Sequence, residues 1–250
     1  AADIAQLRTD VAAELGFVAE SIRRVVRHFS GRVPVIGFAG APFTLASYMI
    51  EGGASRHYLH TKSLLYRTPA TWAALMEKLC AVLEAYLLSQ VDAGAQAIQL
   101  FDSWVGCLSE SAYRAFVLPY SQRLIRAVQA RGVPAIHFST GTAGILPAVQ
   151  EAGAQVLSVD WRIPLGRAWE IVRYRPAIQG NLDPAALFAP WPELRQQVEA
   201  VLEEATGRPG HIFNLGHGIL PGTPVENVLA VVKHVHEYAA RRMEAQKADG

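Results

Sequence analysis

Cysteine, lysine and charge are all scarce in this sequence, and each scarcity removes a class of chemistry. The 250 residues hold two cysteines, Cys80 and Cys107, in no CxxC or Cys/His spacing. That argues against a disulfide framework or a structural zinc site and suits a reducing cytosol. The four lysines, Lys62, Lys78, Lys233 and Lys247, fall on expected helices or in the tail. No strand end therefore offers a Schiff-base lysine, which argues against pyridoxal and aldolase-type mechanisms. Charged residues make up 18% of the chain, below the usual fraction of about 25%, and a net charge of +1 offers no general attraction to nucleic acid. Mean hydropathy is +0.16, yet no uninterrupted apolar run approaches the roughly 18 residues needed to cross a bilayer. Residues 1–10 show neither a basic start nor an apolar stretch with a small-residue cleavage site, so a soluble protein without a secretory signal is expected.

What is present is apolar and alternating. Apolar residues reach 51%, and the length is that of one (β/α)₈ barrel or one large α/β domain. Leu7, Val11, Leu15, Val18, Ile22, Val25 and Val26 recur at helical steps, which predicts a leading helix over residues 1–30, bent at Gly16. Six apolar runs then read as strands: 33–38, 97–101, 135–138, 156–159, 177–179 and 212–214. Helical patterns separate them at 72–91, 111–130, 145–151, 165–172, 191–205 and 224–243. The βα alternation predicts a parallel sheet in a single domain over residues 1–250, with six βα units in residues 31–250. A closed barrel needs eight, so two upstream units are expected to be missing, an open doubly wound sheet of six strands being the other arrangement.

In parallel α/β folds, ligands meet the loops at the carboxyl ends of the strands. Those loops here hold glycine, aromatic rings and neutral hydrogen-bonding groups. No GxSxG, HExxH or GxxxxGK[ST] occurs, and Gly216-His217-Gly218 continues Ile219-Leu220-Pro221 without the third glycine of a dinucleotide fingerprint. His57 with His60, and His234 with His236, lack a third ligand at a helpful spacing. Arg23, Arg24, Arg27 and Arg32 read as a solvated helix face rather than an anion grip. His217, between two glycines after the last strand, fits either a ligand contact or a hydrogen-bonded loop histidine. Tyr48 fits either a donor on a helix leaving the ligand face or a packed core tyrosine. Asp102 and Ser103, Asp160 and Asp183 fit either ligand contacts or helix caps.

The run from Gly37 to Gly53, GFAGAPFTLASYMIEGG, closely resembles the signature of uroporphyrinogen decarboxylases. Further matches follow in order at Gln99–Ser103, Asp160-Trp161, Gln179–Pro184 and Asn214–Gly218, so the resemblance runs from about Arg32 to the C-terminal helix. It implies a (β/α)₈ barrel, usually a cytosolic homodimer, that removes four acetate carboxyl groups from uroporphyrinogen to give coproporphyrinogen, without cofactor or metal. It also implies that Tyr48, Ser103 and His217 contact the tetrapyrrole, with Tyr48 and His217 as the catalytic candidates, and that Phe101 and Gly40 line the pocket.

One part of the family pattern has no counterpart here. The Arg-Gln-x-Gly-Arg carboxylate grip and the aspartate that holds the pyrrole N–H groups are absent from this sequence, and no residue inherits those roles. The expectation is a longer native chain, of which these residues alone would be poor catalysts. Two other readings stand beside the decarboxylase: a non-catalytic tetrapyrrole-binding protein or remnant, and a corrinoid-dependent thiol methyltransferase relative. The latter needs a His-x-Cys zinc motif, which the sequence lacks.

Overall fold

Each of the six strands leads into helix, as the alternation predicts. The structure is a computed structural model that describes residues 2–10, 12–53, 55–205 and 208–248. Strands β1 (Ile36–Gly40), β2 (Ala97–Asp102), β3 (Ala135–Ser139), β4 (Val156–Val159), β5 (Ala177–Leu182) and β6 (His211–Leu215) follow one another in sheet order as in the chain. The chain divides into two units, Ala1–Leu157 and Ser158–Gly250, with the boundary inside β4.

In the first unit β1, β2 and β3 pair in parallel, Gly40 opposite Phe101 and Phe101 opposite Phe138. β3 is buried throughout, as a strand covered on both faces should be. β1 alternates instead, leaving Ile36 and Phe38 exposed, and Val33 just before it is also exposed. The apolar run at 33–38 read as a buried strand; it is half-buried, because the face that carries Ile36 and Phe38 is left uncovered. The core is built on helix Pro69–Asp92, whose Trp72 is 1% exposed, donates Nε1–H to the Phe116 carbonyl at 2.9 Å and meets the Phe43 ring edge-on.

Two expected helices are interrupted. The leading segment divides into Ala2–Gln6, a 3₁₀ turn at Ala12–Leu15 and helix Gly16–Phe29. Val11, part of the periodic pattern, lies outside the described residues. Lys78 closes the first helix by donating to the Ala5 and Leu7 carbonyls, a favourable end for a cation. Helix 111–130 becomes Glu110–Phe116 and Leu118–Gln129, parted at Val117. Pro119 stands in the first turn of the second helix and has no N–H to carry the ladder back to the Ala115 carbonyl. A helix at Leu59–Arg67 was not anticipated.

In the second unit β5 pairs in parallel with β6, and Leu182, Leu187, Leu194, Val198 and Val231 form the core between sheet and helices. Asn227 ties helix Val225–Ala248 to the turn Pro184–Phe188 by donating to the Leu187 and Ala189 carbonyls.

Candidate active site

The strand ends of the first unit carry an aromatic row. Phe38 and Phe138 each meet Phe101 edge-on, at 5.7 and 5.4 Å between ring centres, so three neighbouring strands present three rings in contact. Phe38 is 60% exposed and Phe138 is buried, which makes the row run from surface to interior. Gly40, opposite Phe101 in the register, lies against Leu45, whose Cδ2 would stand 2.8 Å from any Cβ there, so the glycine lets that side chain pack on the strand end.

Helix Pro42–Glu51 leaves β1 directly, opened by Pro42 in its first turn and closed by Gly52 in the left-handed region, which donates to the Tyr48 carbonyl. Tyr48 is 43% exposed, so it is not a core tyrosine. Its ring stands edge-on to Trp104 at 6.0 Å, and Tyr58 lies tilted on the same indole at 5.7 Å. Burial pushes the Tyr58 phenol up to about 12, so it stays a neutral donor. Glu51 braces the following loop: its carboxylate accepts from the Thr61 N–H at 2.9 Å and the Thr61 hydroxyl at 3.0 Å. Burial alone would raise Glu51, but those two bonds outweigh it and hold the carboxyl below its usual range. Ser103 caps no helix, because the turn Val105–Cys107 begins at Trp104 without a side-chain cap. The Ser103 carbonyl accepts from the Thr140 hydroxyl, which ties the end of β2 to the loop after β3.

In the second unit the residues after β4 and β6 come together. The Arg162 guanidinium lies 4.2 Å over the Trp161 ring and donates to the Asp160 carboxylate, which is 3% exposed. Trp161 meets the His217 ring edge-on at 6.5 Å. The Gly218 N–H donates to His217 Nδ1 at 2.7 Å, which assigns the proton of the neutral ring to Nε2. His217 is thus both hydrogen-bonded within its loop and exposed at its surface. The Gln179–Pro184 segment has a structural explanation. Gln179 donates to the Ser158 hydroxyl at 2.9 Å, and Asn181 donates to the Asp160 and Ile163 carbonyls at 2.9 and 2.7 Å. Asp183 accepts from the Ala185 N–H and caps the turn that follows, as its Asp-Pro sequence predicts.

The structure therefore brings Gly40 and Phe101 together on adjacent strands, and sets Tyr48 on Trp104, directly after Ser103, within the first unit; it places His217 with Trp161 in the second. Sequence reading missed Tyr58 and Arg162, and it placed Trp104 and His137 in the strand-end segments without giving either a role. Arg162 follows β4 closely but has no motif to mark it, and Tyr58, just before helix Leu59–Arg67, lies far from any strand end. Arg23, Arg24 and Arg27 pair with Glu20 on an exposed helix face, as expected, and His234 hydrogen-bonds Glu199.

A family model described as uroporphyrinogen decarboxylase (URO-D) matches residues 1–238. A uroporphyrinogen decarboxylase of Koribacter versatilis is 56% identical over 96% of this chain and 69% of its own length, and one of Solibacter usitatus is 56% identical over 94% and 68%. The corresponding protein of Streptomyces coelicolor is 48% identical over 96% and 67%. The chain thus spans about two-thirds of the length of these relatives. Among solved structures, a B12-independent methionine synthase from Shewanella sp. W3-18-1 superposes with a TM-score of 0.66 at 12% identity, over 91% of this chain and 67% of that one, a likeness of fold alone. The fold class is the α/β (β/α)₈ barrel, and the described residues carry six βα units of it.

Proposed function

The chain belongs to the uroporphyrinogen decarboxylase family, decarboxylases of tetrapyrrole biosynthesis, and from that premise we propose that it removes the four acetate carboxyl groups of uroporphyrinogen to give coproporphyrinogen. The observation that carries the reading to this chain is the exposed Tyr48 phenol, held edge-on by Trp104 where helix Pro42–Glu51 leaves β1. The aromatic row of Phe38, Phe101 and Phe138 supplies flat apolar surface for a macrocycle.

Each decarboxylation breaks the bond between the acetate methylene and its carboxylate carbon. Protonation of the pyrrole at a ring carbon creates a cation conjugated to that methylene. The bonding pair released with CO₂ then flows into the ring as an exocyclic double bond. A proton added to the methylene carbon makes the methyl group, and the ring gives back its extra proton, so one proton is consumed per CO₂ lost. The Tyr48 hydroxyl is the donor we assign to the reacting pyrrole, and the His217 Nε2–H a second donor for orientation and charge. Arg162, stiffened on Trp161, offers its remaining N–H groups to a substrate carboxylate. Ser103 supplies a further hydroxyl at the end of β2. A cytoplasmic homodimer belongs to the same proposal, on the family resemblance, and sedimentation of the purified chain tests the dimer.

Anaerobic turnover of uroporphyrinogen by the wild-type chain and its Tyr48→Phe variant tests the assignment. Tyr48→Phe should lower kcat by about 10²-fold, the lower range for losing a transition-state donor. Tetrapyrrole binding without product from either protein would replace the enzyme by a binding protein.

A further inference from the structure

A carboxylate and an imidazole of the first unit are fully buried side by side and have no part in the chemistry above. Asp102, the last residue of β2, and His137, in β3, are both 0% exposed, with Asp102 Oδ2 3.5 Å from His137 Nε2. The other carboxylate oxygen, Oδ1, accepts from the Thr44 hydroxyl at 3.3 Å, and Thr44 is itself buried. A carboxylate taken out of water is costly unless it is paired and hydrogen-bonded, so so thorough a burial needs a reason.

The connections of these three residues supply one. Thr44 stands one helical turn before Tyr48 on helix Pro42–Glu51, on the same face at the i, i+4 spacing. Asp102 is the covalent neighbour of Ser103, and His137 belongs to the next strand over. We infer that Asp102, backed by His137 and gripping Thr44, is a positioning residue that fixes the Tyr48 helix relative to Ser103. This inference rests on the decarboxylase reading for its effect on rate, but not for its effect on structure. None of the three touches substrate in this account. Asp102 acts through Thr44 on Tyr48 and through the chain on Ser103.

The gentlest disruption is Thr44→Val, which keeps the shape and removes the hydroxyl; Thr44→Ser restores it. Thr44→Val should lower kcat about 10-fold, with KM within about twofold, since misplacing a catalytic group by an ångström costs up to 10²-fold. Thr44→Ser should recover most of that loss. In a Tyr48→Phe background the Thr44→Val loss should shrink towards onefold, because the two side chains act as a unit. Amide hydrogen exchange, which needs no turnover, should speed up in residues 43–51 of Thr44→Val while the rest of the first unit is unchanged. A multiplicative double variant, an unchanged kcat or unchanged exchange in that helix would each overturn the inference. If the wild-type chain shows no turnover, the rate effects have nothing to act on, and the exchange result alone decides whether the bond from Thr44 to Asp102 positions the helix.

Discussion

A Cβ on Gly216 would lie 2.6 Å from the backbone nitrogen of Trp161 and 3.1 Å from Cε3 of its indole. The loop after β6 therefore rests backbone to backbone on the segment after β4. That contact sets His217, the next residue, edge-on to Trp161. Gly216→Ala must push the two segments apart, because the atoms in the way are backbone. It should destabilise the protein by about 1–3 kcal/mol, as overpacking does, and lower activity beyond what a His217→Asn variant leaves intact. Thermal denaturation and turnover measured together check this; an unchanged melting temperature would contradict it.

Arg162 makes a separate claim about substrate binding. Its side chain is 53% exposed, stacked on Trp161 and tied to Asp160. Arg162→Gln should raise KM about 10-fold with kcat little changed, the mark of lost ground-state binding. Arg162→Lys should not restore it, since an ammonium neither stacks as a plane nor donates as a fork. Full rescue by lysine would reduce the role to simple charge.

The pH response of stability follows from His211 at the start of β6. Burial holds its imidazole below the ordinary value of 6.5, and the hydrogen bond to the Gly180 carbonyl at 2.9 Å opposes this only in part. The unfolded chain therefore takes up a proton first as pH falls. The stability this residue contributes is present above pH 6.5 and is lost as pH falls through its lower folded value. His211→Gln removes that dependence. Urea unfolding between about pH 8 and about pH 5 should show the wild type losing stability relative to the variant; parallel profiles would refute the assignment.

Trp72 joins two parts of the first unit's core. Its indole N–H reaches the carbonyl of Phe116, the last residue of helix Glu110–Phe116, which the break before Pro119 leaves without the next turn. Trp72→Ala should cost about 3–5 kcal/mol, the range for deleting a buried large aromatic. Urea denaturation reads it, and a loss under about 1 kcal/mol would mean the site collapses around the deletion.

The sheet was legible because β2 to β5 are covered on both faces and so leave short apolar runs between polar loops. The leading helix was less so. Its periodicity runs on through Arg8-Thr9-Asp10, where the structure interrupts it and Arg8 pairs with Asp10 and Glu14 instead. Exposure of Ile36 and Phe38 on β1 could not be read either, since apolar composition does not say whether both faces of a strand are covered. In the site, Tyr48, Ser103 and His217 stood out through the family signature and the strand-end rule. Asp102 read as a cap or ligand, and its burial against His137 and Thr44 depends on pairing across 35 and 58 positions of chain, which no local pattern carries. Arg162 resembled any surface arginine until its stacking on Trp161 was seen.

The central claim is that this chain decarboxylates a tetrapyrrole with one solvent proton entering per CO₂ released. Anaerobic incubation with uroporphyrinogen in heavy water, followed by chromatography by carboxyl count and mass analysis, tests it most directly. The account predicts products stepping from seven carboxyl groups to four, each new methyl group carrying one solvent deuterium. Recovery of the eight-carboxyl substrate alone, or methyl groups without deuterium, would contradict it.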